Sequence, residues 1–75
     1  MRIVYVKTPS FNHVLFKRLT ALGRIFTGEC PMVLYSIEEK KYGNDGITVN
    51  PTPFLIENIK KIAGEENVVV KYMNN

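Results

Sequence analysis

Cys30 is the chain's one cysteine and His13 its one histidine, so the side chains that most often carry nucleophilic or metal chemistry occur once each. A zinc site takes three or four such ligands, and two cannot assemble one. A nucleophilic thiol needs its thiolate stabilised by a base, a cation or a helix N-terminus. In Gly28-Glu29-Cys30-Pro31-Met32-Val33-Leu34-Tyr35 the cysteine instead follows the expected end of a helix, where the dipole disfavours negative charge. That stretch reads as a strand being launched, with Cys30 structural. His13 reads as a surface residue in the first turn of a helix. Glu38-Glu39 and Glu65-Glu66 pair carboxylates, but neighbours on a strand point to opposite faces and both pairs adjoin turns, so they read as solvated charge. Gly43-Asn44-Asp45-Gly46 lacks the lysine and the following helix of a phosphate loop. The expectation is a chain that is not an enzyme, with no catalytic residue, no metal and no cofactor.

The elements that position these residues follow from periodicity and punctuation. Ile3-Val4-Tyr5-Val6 is β-branched and aromatic and is closed by Pro9, which predicts a first strand. Ser10 or Asn12 can cap a helix, and Phe11, Leu15, Leu19, Leu22 and Phe26 recur at helical steps, predicting a helix to about Phe26 with Gly28 as its left-handed cap. Residues 32–37 are apolar except for Ser36, as expected of a strand covered on both faces or nearly so. Glu38-Glu39-Lys40-Lys41 reads as solvated, Gly43-Asn44-Asp45-Gly46 as a hairpin turn, and Ile47-Thr48-Val49 as a short third strand. Thr52-Pro53 then starts a second helix striped by Leu55, Ile59, Ile62 and Ala63 and stopped by Gly64. Residues 67–73 make a final strand. The order β-α-β-β-α-β predicts one α+β domain over residues 1–75, a ferredoxin-like sandwich with a mostly antiparallel four-stranded sheet and both helices on one face.

At 75 residues the chain has room for one small core, and 45% hydrophobic with 23% charged residues is ordinary globular composition. A lone cysteine excludes an internal disulfide, and a secreted domain of this size usually carries several, so a reducing compartment, the cytoplasm, is expected. No apolar run approaches the roughly 20 residues that span a bilayer, and the opening residues alternate like a strand, not like a signal peptide, so no membrane association is expected.

Binding is therefore the function class to weigh. The net charge of +3 permits an acidic partner without demanding one. Tyr5, Tyr35 and Tyr72 are amphipathic sheet residues suited to anchoring a partner. Lys17, Arg18, Arg24, Lys60 and Lys61 fall on the two helices away from their apolar stripes and form the candidate nucleic-acid surface. Domains of this element order that bind single-stranded RNA stack bases on aromatics of the first and third strands. Tyr5 meets that requirement, but the expected third strand has no aromatic. A further alternative is a regulatory dimer that pairs edge to edge around a small ligand.

Three segments carry a resemblance: Ile3-Val4-Tyr5-Val6-Lys7-Thr8-Pro9-Ser10, Ile25-Phe26-Thr27-Gly28-Glu29-Cys30-Pro31-Met32-Val33-Leu34-Tyr35, and Gly64-Glu65-Glu66-Asn67-Val68-Val69-Val70-Lys71. Together they resemble the extreme C-terminal region of the bacterial DNA polymerase III alpha subunit; residues 42–52 match nothing in it. The resemblance implies a non-catalytic protein-interaction domain in DNA replication, attached to the clamp-loader tau subunit. The polymerase's catalytic carboxylates lie elsewhere in that family, so none is carried over.

Overall fold

The alternation of β-branched residues with polar ones dictates the centre of the fold. In the computed structural model, which describes residues 2–43 and 46–72, Arg2–Thr8 form strand β1, with Val4, Val6 and Thr8 buried on one side and Ile3, Tyr5 and Lys7 on the other. The chain then forms helix α1 (Val14–Ile25), β2 (Thr27–Ser36), β3 (Lys41–Gly43), β4 (Thr48–Val49), helix α2 (Pro53–Ala63), a 3-10 turn (Glu65–Asn67) and β5 (Val68–Tyr72).

The result is a small α+β fold with two helices on a mixed five-stranded sheet. The two helices fall between strands as expected, but the chain forms five strands where four are expected, and the pairing is not purely antiparallel. β1 and β2 lie side by side and parallel, in register from Val4 opposite Met32 to Thr8 opposite Ser36. β5 runs antiparallel on the other side of β1, while β3 and β4 both run antiparallel along the outer side of β2. A split sandwich would place the returning strand between β1 and β2; here that strand lies outside them. It is also interrupted: β3 pairs with Leu34, Tyr35 and Ser36, β4 with Thr27, Cys30 and Pro31, and between them the Met32 amide donates to the Ile47 carbonyl at 3.1 Å.

Both helices bury their stripes against one sheet face. Leu19 of α1 and Leu55 and Ile59 of α2 meet Val4, Val6, Met32, Leu34 and Val49 in a single core, with Leu15, Leu22, Ile62 and Ala63 packed at its margin. The second helix follows its sequence signals: the Thr52 hydroxyl accepts from the Leu55 amide, Pro53 opens the helix, and Gly64 at φ 95° ends it.

The first helix departs from expectation at both ends. Its N-cap is His13, whose Nδ1 accepts the Leu15 amide at 3.1 Å, in place of Ser10 or Asn12. Phe11 precedes the helix and rests on Phe16, ring centroids 5.3 Å apart. Phe26 forms the C-cap, and Gly28 lies inside β2. The chain reversal after β2 occurs over residues 37–40, with Lys40 left-handed at φ 56°; the expected turn at Gly43-Asn44-Asp45-Gly46 includes Asn44 and Asp45, which lie outside the described residues. The expected end of the last strand at Met73 also lies outside them. Residues 32–37 are covered on one face only: Met32, Leu34 and Ser36 are buried, Val33 and Tyr35 are half-buried, and Ile37 is exposed. Among the described residues no helix is long and apolar enough to cross a membrane.

Candidate functional site

With both helices on one side, the other face of the sheet is left open. Strand alternation decides what stands on it: in β1 the inward positions are Val4, Val6 and Thr8, so Tyr5 and Lys7 point outward, and the parallel register carries Val33 and Tyr35 out beside them. In β3, Tyr42 pairs directly with Tyr35. The three rings form one cluster, the Tyr42 centroid lying 4.9 Å from that of Tyr35 and 6.4 Å from that of Tyr5. These are tilted and edge-on pairings, which favour the positive edge of one ring against the negative face of another. Tyr42 is 67% exposed, so much of its ring remains open to solvent.

Three lysines share the same face. Lys7 sits opposite Tyr35 in the β1–β2 register, the Lys71 Nζ lies 5.5 Å from the Tyr5 ring centroid, and Lys40 enters from the left-handed turn position. With Val33 and Val69 they line an open depression of about 960 Å³, bordered by Glu66 and Asn67. The surface combines π-faces, cationic heads and a small apolar floor.

The turn that delivers Lys40 and Tyr42 is braced from beneath. The Ser36 hydroxyl donates to Glu39 Oε1, the Glu39 amide donates to Ser36 Oγ at 3.1 Å, and the Phe11 amide donates to Glu39 Oε1 at 3.2 Å. The Ser36 bond, with help from the Phe11 amide and Lys41, holds the Glu39 carboxyl below the ordinary glutamate range against an opposing effect of desolvation. Glu39, expected to be plain solvated charge, thus ties β2 and β3 to the segment after β1. Thr8, buried beside Ser36, donates its hydroxyl to the Tyr35 carbonyl at 3.2 Å.

The candidate residues separate. Tyr5 and Tyr35 share the open face, joined by Tyr42. Tyr72 falls on the opposite parity of β5, with Val68 and Val70, and stands exposed at the strand's end opposite Arg2. Lys17 and Arg24 flank a second, smaller hollow with Phe11 and Phe16, which Arg18, Lys60 and Lys61 do not line. Arg24, Lys60 and Lys61 sit in last helical turns, where a cation complements the dipole irrespective of any ligand. Cys30 is half-buried within β2, opposite Val49 in register.

Sequence reasoning missed Tyr42, Lys7, Lys40 and Lys71 as a group because it placed the third strand at 47–49. The signal available was Tyr42 itself, a strand-favouring aromatic directly after a charged run. No protein family, curated protein or solved structure shows a significant match to this chain.

Proposed function

We propose that the chain is a non-catalytic attachment domain of the DNA-replication machinery, which holds a protein partner along the outer edge of β5, and that this partner is the clamp-loader tau subunit. The observation that carries the reading is the edge itself. β5 ends the sheet, with Val69 on the open-face side and Tyr72 on the helix side both exposed. A strand with free main-chain groups and apolar side chains on both faces accepts an extended peptide as a further strand, the backbone supplying affinity and the side chains selectivity. Two further points support it. The three segments that resemble the polymerase subunit fall on β2, β1 and β5, which lie side by side in that order, with β1 between the other two. One of them is the edge strand with its preceding turn.

Titration of the 75-residue chain with purified tau in low salt tests this. Saturable association at micromolar concentration is expected, and Val69→Lys weakens it by roughly tenfold or more, the scale of a lost interface anchor. Absence of association overturns the tau assignment. A stable homodimer by light scattering that Val69→Lys dissolves would assign the edge to a second copy instead.

A further inference from the structure

We propose that the open sheet face is a binding platform for single-stranded nucleic acid, with Tyr42, Tyr35 and Tyr5 as stacking surfaces for bases and Lys7, Lys40 and Lys71 as phosphate contacts. This goes beyond the attachment reading: Tyr42 and Tyr35 stand on β3 and β2, away from the β5 edge, and only Lys71 among the six residues lies on β5.

Charge and ring chemistry together select the occupant. Three tyrosines on three successive strands form one contiguous aromatic surface, and base–aromatic stacking accepts any base because every base has a π-face. The lysines are interleaved with the rings rather than gathered apart: Lys7 beside Tyr35 and Lys71 against Tyr5, with Lys40 also lining the depression. Bases alternate with phosphates along a single strand, so one ligand offers partners to the rings and to the lysines at once. A duplex cannot, since its bases are already stacked on one another and show only their edges. An acidic peptide would satisfy the lysines and leave the tyrosine faces without a partner of matching geometry. Among the described residues that line the depression, Glu66 is the one carboxylate against three lysines.

The helix layer offers no comparable arrangement. Its basic residues are divided between two helices, and the aromatic rings near Lys17 and Arg24 are Phe11 and Phe16, half-buried and packed on each other.

Fluorescence anisotropy of the intact chain with labelled oligo-dT, oligo-U, a duplex of equal length and poly-glutamate is the test. The single strands are expected to bind and the duplex and poly-glutamate to bind at least tenfold more weakly; the two single-strand arms show whether DNA or RNA is preferred. Neutralising three phosphates gives a slope of log affinity against log salt near −2, at about −0.7 per contact on single strands. Tyr42→Ala, on an exposed side chain, is expected to weaken binding roughly tenfold or more, Tyr42→Phe to preserve it, and Lys7→Gln to reduce the slope by about 0.7. Unchanged far-ultraviolet dichroism shows that each variant is folded. Equal affinity for the duplex, binding insensitive to Tyr42→Ala, or binding abolished by Lys17→Gln with Arg24→Gln instead would overturn the proposal.

Discussion

A β-carbon added at Gly28 would lie 2.5 Å from the Asn50 amide nitrogen and 2.6 Å from the Val49 carbonyl carbon and oxygen. These are backbone atoms of β4 and the residue after it, so no rotamer change relieves the overlap; β2 and the returning chain must move apart. The glycine is therefore required by the close approach of two backbones and not by a left-handed helix cap, which is the role Gly64 fills at φ 95°. Gly28→Ala is expected to cost about 1–3 kcal/mol, the usual range for overpacking. In a domain of this size that amounts to a fall in melting temperature of several degrees for each kcal/mol. Thermal unfolding followed by circular dichroism measures it, and an unchanged melting temperature would show that β4 yields freely. Both readings of the glycine come from the same sequence, Phe26-Thr27-Gly28, because a cap and a strand crossing each favour a residue without a β-carbon. Local pattern cannot separate them; the position of a strand twenty residues further on does.

The β2–β3 turn is the element on which the open face depends, and its support titrates. With its folded-state pKa lowered by the Ser36 hydrogen bond, Glu39 contributes stability that is present above the ordinary glutamate value and is lost as the pH falls through the lower folded value. Denaturant midpoints measured from neutral pH downward should therefore fall in the acid range, and Glu39→Gln should flatten that part of the profile; an identical profile in the variant would dismiss the brace. The same turn shows what was legible in the sequence. Two helices, their apolar stripes, Thr52 as a cap and Gly64 as a stop all come from short-range pattern, which reports side-chain periodicity and capping faithfully. The pairing of strands is not local. A hairpin can return on either side of its second strand without altering the order of elements, so β-α-β-β-α-β alone does not decide between a split sheet and the parallel β1–β2 pair found here. Glycine and asparagine favour left-handed backbone, so local pattern draws the turn to residues 43–46, whereas Lys40 takes that conformation with Ser36 and Glu39 holding the loop around it. Tyr42 was hidden by that one shift, and with it the continuity of the aromatic face.

Across the whole molecule, stability should be unevenly distributed in a way that bears on binding. β1 is paired on both sides, and Val4, Val6 and Thr8 are fully buried, so exposing its amides requires the core to open. β3 is three residues long, is paired with β2 along one side, and carries Tyr42 largely in solvent. β4 is shorter still, yet the buried Val49 side chain anchors it to the core. Native-state hydrogen exchange is thus expected to show β1 amides opening only with global unfolding, β4 amides intermediate, and β3 amides exchanging through local fraying. Equal protection of β1 and β3 would contradict this ordering. The same measurement separates the two binding surfaces. A single strand stacked on Tyr42 must hold β3 in place, so added oligo-dT should slow exchange in β3. A peptide strand added at the sheet edge should instead slow exchange along β5, whose outer amides it would bond, and leave β3 as it was.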